Sequence, residues 1–227
     1  MAETTHTADQ LIEELAAIDT PTVANAVDSF HVRDATEGFA ASDLRCVYPD
    51  LPTMVGYAVT CTDDSSTPRS QPGRGYEQLY RAIAASPKPA VVVFKCLGDP
   101  KRSLHMGDVM ASIVSRLGAV GVVTDGGVRD VAAVRERVPG FQMFATGFVV
   151  AGGAASLGDV GISVSICGLT IRSGDLLHGD VNGLLTIPSS IATEVAAAAR
   201  RIQASEQERV DFVRSKDFAI DRLATGH

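Results

Sequence analysis

The sequence predicts an α/β domain built on a mixed β-sheet. Three observations carry this. Ala90–Cys96 (AVVVFKC) and Ala119–Thr124 (AVGVVT) are short apolar, β-branched runs, the pattern of strands buried on both faces. Segments with apolar residues at helical spacing are interleaved with such runs. Pro87, Pro89, Gly118 and Asp125-Gly126-Gly127 punctuate the boundaries.

Taken in order, residues 7–18 read as an amphipathic helix with Leu11, Ile12 and Leu15 on one face. Thr20-Pro21 has the form of an N-cap with proline at the first helical position, opening a second helix through Val27. Residues 31–53 are irregular. Residues 54–61 form a strand, and 63–75, rich in Pro, Ser and Gly, an exposed loop. A helix over 76–86 precedes the strand at 90–96, and a charged loop spans 98–106. Gly107-Asp108 then opens a helix carrying Val109, Ile113, Val114 and Leu117, which Gly118 ends as a left-handed residue. The strand at 119–124 and the turn at 125–127 deliver Arg129 and Asp130 beyond a strand's C-terminal end, the edge where open α/β sheets bind ligands. Residues 131–137 form a helix, 143–146, 160–166, 169–171 and 184–187 strands, and 174–183 turns. A long Ala-rich helix occupies 189–213 and turns charged after Arg200.

With 227 residues, one domain over 1–227 is expected. A net charge of −7 with no basic run argues against a nucleic-acid surface. Cys46, Cys61, Cys96 and Cys167 are scattered, with no zinc spacing, and read as reduced cysteines of a cytoplasmic protein. The N-terminus does not read as a signal peptide. Residues 141–158 carry no charge but hold four glycines, which points to a buried core segment and away from a membrane span.

The pattern G-D-x-x-A at Gly107–Ala111, followed by G-x-x-G-x-x-x-D-G-x-x-R-D from Gly118 to Asp130, resembles the RraA-like family. Weaker echoes are Gly56-Tyr-Ala-Val-Thr60, Gly174-Asp175, Gly179-Asp180-x-x-Gly183 and Ile187-Pro188. That family includes metal-dependent pyruvate aldolases, which act on 4-hydroxy-4-methyl-2-oxoglutarate and 4-carboxy-4-hydroxy-2-oxoadipate, and regulators of ribonuclease E. The resemblance implies an α/β/α layered fold related to swivelling phosphohistidine-type domains, with a mixed central sheet, assembled as a homotrimer or homohexamer. It implies a Mg²⁺ or Mn²⁺ cofactor, a small 2-oxo-acid substrate and an oxaloacetate decarboxylase side activity. The alternatives are a non-catalytic ribonuclease regulator, or a metal-dependent lyase or hydrolase on another oxo- or hydroxy-acid.

By that resemblance Arg129 binds the 2-oxo acid and steadies the enolate oxygen, and Asp130 is the direct metal ligand. A guanidinium suits a carboxylate, and a carboxylate oxygen suits a hard cation. The alternative for Asp130 is an N-cap for the following helix. Gly107 and the backbone amides of Val109 and Met110 would hold the substrate carboxylate at a helix N-terminus. Asp108 would act as general acid/base through a metal-bound water, or serve simply as the cap of its helix. Glu206 is the candidate C-terminal acid reaching the metal through water, against a solvated helix face. Asp125 reads as a turn stabiliser, His105 as a candidate pocket-lining residue, His178 as a turn residue, and Lys95 as pointing to solvent. Ser173 stands where many family members have Pro, and affects turn rigidity.

Overall fold

The computed structural model describes residues 7–65, 75–151 and 156–220. The chain runs α1 (Ala8–Ala16), α2 (Thr20–Ser29), β1 (Arg45–Cys46), β2 (Met54–Asp64), α3 (Tyr76–Ala85), β3 (Ala90–Cys96), β4 (Leu104–Met106) and α4 (Asp108–Arg116). It continues through β5 (Ala119–Thr124), β6 (Gly127–Val128), α5 (Val131–Arg137), β7 (Gln142–Ala145), β8 (Gly147–Phe148) and β9 (Ser156–Val160). It ends with β10 (Val164–Ile166), β11 (Leu169–Ile171), β12 (Leu176–Asp180), β13 (Gly183–Ile187) and α6 (Ala192–Arg214).

The central sheet has the order β1-β7-β5-β3-β2-β12-β13, with β9 also paired to β2. Strands β2, β3, β5 and β7 are parallel. Strands β1, β9 and β12 join them antiparallel, and β13 pairs antiparallel with β12. This is the mixed sheet that the sequence predicts.

Strand alternation divides the core. Val59 and Cys61 of β2, with Ala90, Val92 and Phe94 of β3, pack against α3, α4 and α5. Val55 and Tyr57, on the same face of β2, meet α1, α2 and α6. Met54, Ala58, Val91, Val93 and Phe144 point the other way, onto Val164, Ile166, Leu169 and Ile171 of the β10–β11 hairpin. The layers are therefore helices, sheet and hairpin, the six described helices lying on one face. A two-residue period in each strand produces this division.

Several local expectations change. Asp19, not Thr20, caps α2: its Oδ1 accepts from the Thr22 amide at 3.0 Å. The freed Thr20 amide donates to Asp180 at 2.9 Å. Strand β2 continues through Asp64, where an exposed loop was expected, because β9 pairs with its end; the rest of that loop, 66–74, lies outside the described residues. The turn-rich stretch 174–183 contains strand β12. Residues 160–166 are split between β9 and β10. Within 141–158 the two ends are core and the middle is not: Phe141, Gln142–Ala145 and Leu157 are buried, whereas Phe148 is 68% and Val150 93% exposed, and 152–155 lie outside the described residues. Ser173 does more than shape its turn, since its hydroxyl accepts from the Thr60 amide at 3.0 Å. No helix among the described residues is long and apolar enough to cross a membrane.

His178 sits in β12, fully buried, and joins the N-terminal helices to the sheet. Its Nε2 lies 3.0 Å from the Leu15 carbonyl and its Nδ1 3.0 Å from the Thr20 hydroxyl. A carbonyl only accepts, so Nε2 carries a hydrogen and donates to Leu15, while Nδ1 shares a hydrogen bond with the Thr20 hydroxyl. Burial holds its pKa below the usual histidine value. His105 is also buried, stacked on Phe94 with ring centroids 5.5 Å apart, and burial lowers its pKa to about 4 against the nearby carboxylates of Asp125 and Asp64.

Both histidines have folded pKa values below their unfolded ones, so the unfolded chain binds more protons in the window between them. Stability should be full above about pH 6.5 and fall as the pH drops towards 4, His105 alone contributing about 2–3 kcal/mol of loss by pH 4.5. Urea unfolding at pH 7 and 4.5 measures this, and His105→Gln should flatten the difference.

Candidate active site

The central motif places two helix starts side by side. Parallel pairing of β4 with β6 carries Met106 alongside Val128, and the Arg129 amide donates to the Met106 carbonyl at 2.9 Å. Gly107, the residue after β4, caps α4, and Asp130, the residue after Arg129, stands at the cap position of α5. The two loops thus meet at one edge of the fold.

Asp130 is bent to this task. Its backbone is left-handed, with φ +57°, and its side chain makes no capping bond to α5. Asp is among the residues that tolerate this region, at a cost of order 1 kcal/mol or more. The carboxylate turns instead towards α4: Oδ2 lies 3.1 Å from Arg129 Nε and accepts weakly from the Asp108 amide at 3.5 Å. Gly107 makes room for it. A Cβ there would stand 2.7 Å from Asp130 Oδ2 and 3.3 Å from Arg129 Nε. Gly107 has an extended backbone, so its requirement for glycine comes from this close approach and not from its φ.

Asp108 is the first residue of α4, and Gly107 takes the cap position foreseen for it. Its Oδ1 accepts from the Val109 amide at 2.8 Å, and its Oδ2 is ion-paired with Arg137 of α5. Two consequences differ from expectation. The Val109 amide, expected to meet a substrate carboxylate, is engaged by Asp108. Arg137, which the sequence reading passed over, ties the two helices together across the site; the signal was its place two turns after Arg129 in a helix whose start was already a candidate.

These residues border a pocket of about 380 Å³, lined also by Tyr76 and Tyr80 of α3, by Leu104 and Met106, and by Val109, Met110 and Ile113 of α4. The apolar residues of α4 are thereby shared: Ala111 and Val114 enter the core, whereas Val109, 67% exposed, and Ile113 face the pocket. His105 borders the pocket, but its side chain is buried behind it, with Nδ1 2.5 Å from the Thr124 hydroxyl. Gly107, Asp108, Val109, Met110, Arg129 and Asp130 are thus brought together. Glu206 is not among them: it lies on the exposed end of α6, where its carboxylate meets Asn25 at 3.5 Å.

Asp125 and Lys95 also depart from expectation. Asp125 does not hold its own turn; the Thr124 hydroxyl does, accepting from the Gly126 amide at 2.9 Å. Asp125 is nearly buried and cross-links β3, accepting from the Cys96 amide at 2.8 Å and pairing with Lys95, which is accordingly not free in solvent. Helix α5 is pinned separately at both ends, by the Tyr48 hydroxyl donating to the Val131 carbonyl at 2.6 Å and by Arg135 of its last turn pairing with Asp50.

The fold and site define a mixed-sheet α/β protein with a carboxylate–guanidinium pocket at the ends of short parallel strands. The family model described as "RraA-like: Aldolase/RraA" matches residues 20–186, and the chain belongs to this family. It is 30% identical over 143 residues to the "Putative 4-hydroxy-4-methyl-2-oxoglutarate aldolase" of Halalkalibacterium halodurans, covering 63% of this chain and 67% of that one. Among the more similar curated relatives some are matched over less of their length, down to 23%. The fold matches an uncharacterized protein of Pseudomonas syringae with a TM-score of 0.73 at 23% identity, covering 100% and 98% of the two chains. It also matches Streptomyces coelicolor RraAS2, described as an unusual member of the RNase ES inhibitor RraA family, with a TM-score of 0.69 at 21% identity, covering 91% and 98%.

Removing the Asp125 side chain should leave a buried Cys96 amide and Lys95 without their acceptor. Asp125→Ala is expected to cost about 2–4 kcal/mol in chemical denaturation, and Asp125→Asn less.

Proposed function

We propose that this chain is a divalent-metal-dependent lyase that cleaves a 4-hydroxy-2-oxo acid to pyruvate and a carbonyl compound, with oxaloacetate decarboxylation as a side activity. One observation carries the reading: Asp130 adopts a strained backbone and gives up capping α5, so that its carboxylate lies against Gly107 beside Arg129. The names of relatives such as that of Halalkalibacterium halodurans support the same class of reaction.

The donor set is compatible with a hard cation. Asp130 offers a partly exposed carboxylate to the pocket, and among the described residues no group of three or more His, Cys, Asp or Glu side chains is arranged for a metal. A site with one protein carboxylate suits Mg²⁺ or Mn²⁺, which keep much of their water shell, and does not suit zinc. Asp130 would hold the ion, with Asp108 beyond its water shell. Such an ion supplies positive charge that polarises a 2-oxo group.

The chain's own residues do the rest. Arg129 presents its guanidinium to the carboxylate and 2-oxo group of the substrate, and its charge stabilises the enolate oxygen as the C3–C4 bond breaks. Asp108 is the acid/base group: it receives the proton of the 4-hydroxyl and returns one to C3 of the pyruvate enolate. Arg137 holds Asp108 at the pocket rim, and the Met110 amide at the start of α4 adds a donor for the carboxylate. Tyr76 and Tyr80 form a wall that limits water. We further propose a homotrimer or homohexamer, in which residues 200–214 of α6, exposed along almost their whole length, offer Glu206 to a neighbouring copy's site. Four unpaired cysteines agree with a cytoplasmic setting.

The test is a coupled pyruvate-release assay with oxaloacetate and 4-hydroxy-4-methyl-2-oxoglutarate in the presence of Mg²⁺. Arg129→Ala should lower kcat/KM by about 100-fold or more with an unchanged Tm, since the side chain is 44% exposed. Near-normal turnover by that variant overturns the proposed role. Absence of turnover by folded wild-type protein, together with specific capture of a ribonuclease, would favour the regulator reading.

A further inference from the structure

Beside the Arg129–Asp130 pair, the lining of the pocket is largely apolar and aromatic. Tyr76 and Tyr80 stand one helical turn apart on α3, with ring centroids 6.2 Å from each other. The Tyr80 hydroxyl reaches Met110 Sδ at 3.7 Å, which fixes the ring against α4. Val109 and Ile113 continue the surface along α4.

The charges lining the pocket are unevenly placed. Among its described lining residues Arg129 is the one cation, and its Nε is already 3.1 Å from Asp130. The neighbouring Arg137 is committed to Asp108. Asp108 and Asp130 are thus each answered by an arginine, and neither arginine is spare for a second substrate carboxylate. A substrate whose 2-oxo-carboxylate end is held by Arg129 has mainly rings and methyl groups in the rest of the lining to receive its C4 substituent. A second carboxylate there would lose hydration against the rings and methyl groups without gaining a cation of its own. An aromatic substituent would bury against Tyr76 and Tyr80 in offset or edge-to-face contact.

Resting on the lyase reading above, we propose that the preferred substrate is a 4-hydroxy-2-oxo acid with an apolar, aromatic-type C4 substituent, and not a dicarboxylate. The reaction balances without a co-reactant. The 4-hydroxyl loses its proton and its oxygen forms the C4 carbonyl. The C3–C4 pair becomes the C2–C3 double bond of pyruvate enolate, and C3 then takes up one proton. The products are pyruvate and an apolar aldehyde.

The experiment compares kcat/KM for 4-hydroxy-2-oxo-4-phenylbutanoate and 4-hydroxy-4-methyl-2-oxoglutarate, with oxaloacetate as the common control, in wild type and Ile113→Arg. Ile113 lies at the partly exposed edge of α4, so the substitution adds a cation to the wall without entering the core. At least tenfold preference for the phenyl substrate in wild type is expected, with Ile113→Arg raising the dicarboxylate's kcat/KM relative to it by about tenfold. Equal or better use of the dicarboxylate by wild type, or an unmoved preference in Ile113→Arg, overturns the inference while leaving the lyase reading in place. Silence with all three substrates overturns the lyase reading and this inference with it.

Discussion

The site depends on a missing methyl group. Gly107 leaves the space into which the Asp130 carboxylate closes, and a Cβ at that position would come within 2.7 Å of it. The approach holds the start of α4 and the start of α5 together and puts Arg129 at the same rim. Asp130 meets this demand with a left-handed backbone and an uncapped helix. Strain of this sort persists where the surroundings enforce it. The Tyr48 hydroxyl on the Val131 carbonyl and the Arg135–Asp50 pair hold α5 from outside the pocket.

Behind the rim, the sheet acts as a rigid base. Four parallel strands end on the same side, and their polar termini are joined to one another and not left to solvent. Asp125 locks β5 to β3 through the Cys96 amide and Lys95, and Thr124 links the same turn to His105. The short sheet β4-β6-β8 then continues this edge outward and sets the register of the two site loops. The proposed site sits in two loops; the means of aiming them is distributed through the sheet.

Much of this was legible in the chain. The β-branched runs at 90–96 and 119–124 are strands, Gly118 is left-handed with φ +95°, and the spacing from Gly107 to Asp130 brought the site residues together as the family motif implied. What escaped was long-range. His178 looked like a turn residue because its glycine-rich surroundings hid a strand that pairs with β2. Lys95 looked solvent-facing because alternation cannot reveal an aspartate arriving from another strand. The helical spacing of Val109, Ile113, Val114 and Leu117 marked an apolar face, but periodicity does not say that Val114 enters the core while Val109 and Ile113 line the pocket. Glu206 stays apart from the site within one chain, a separation that no sequence pattern expresses.

The central claim is that the loops opening α4 and α5 form one 2-oxo-acid site held together by the close approach at Gly107. Isothermal titration of oxalate, a planar mimic of pyruvate enolate, in the presence of Mg²⁺ addresses it directly, in wild type and in Gly107→Ala. The extended backbone at 107 accepts alanine, so the variant should fold with little change in Tm. The account predicts metal-dependent binding by wild type and at least tenfold weaker binding by the variant. Equal affinity in the two proteins would contradict it.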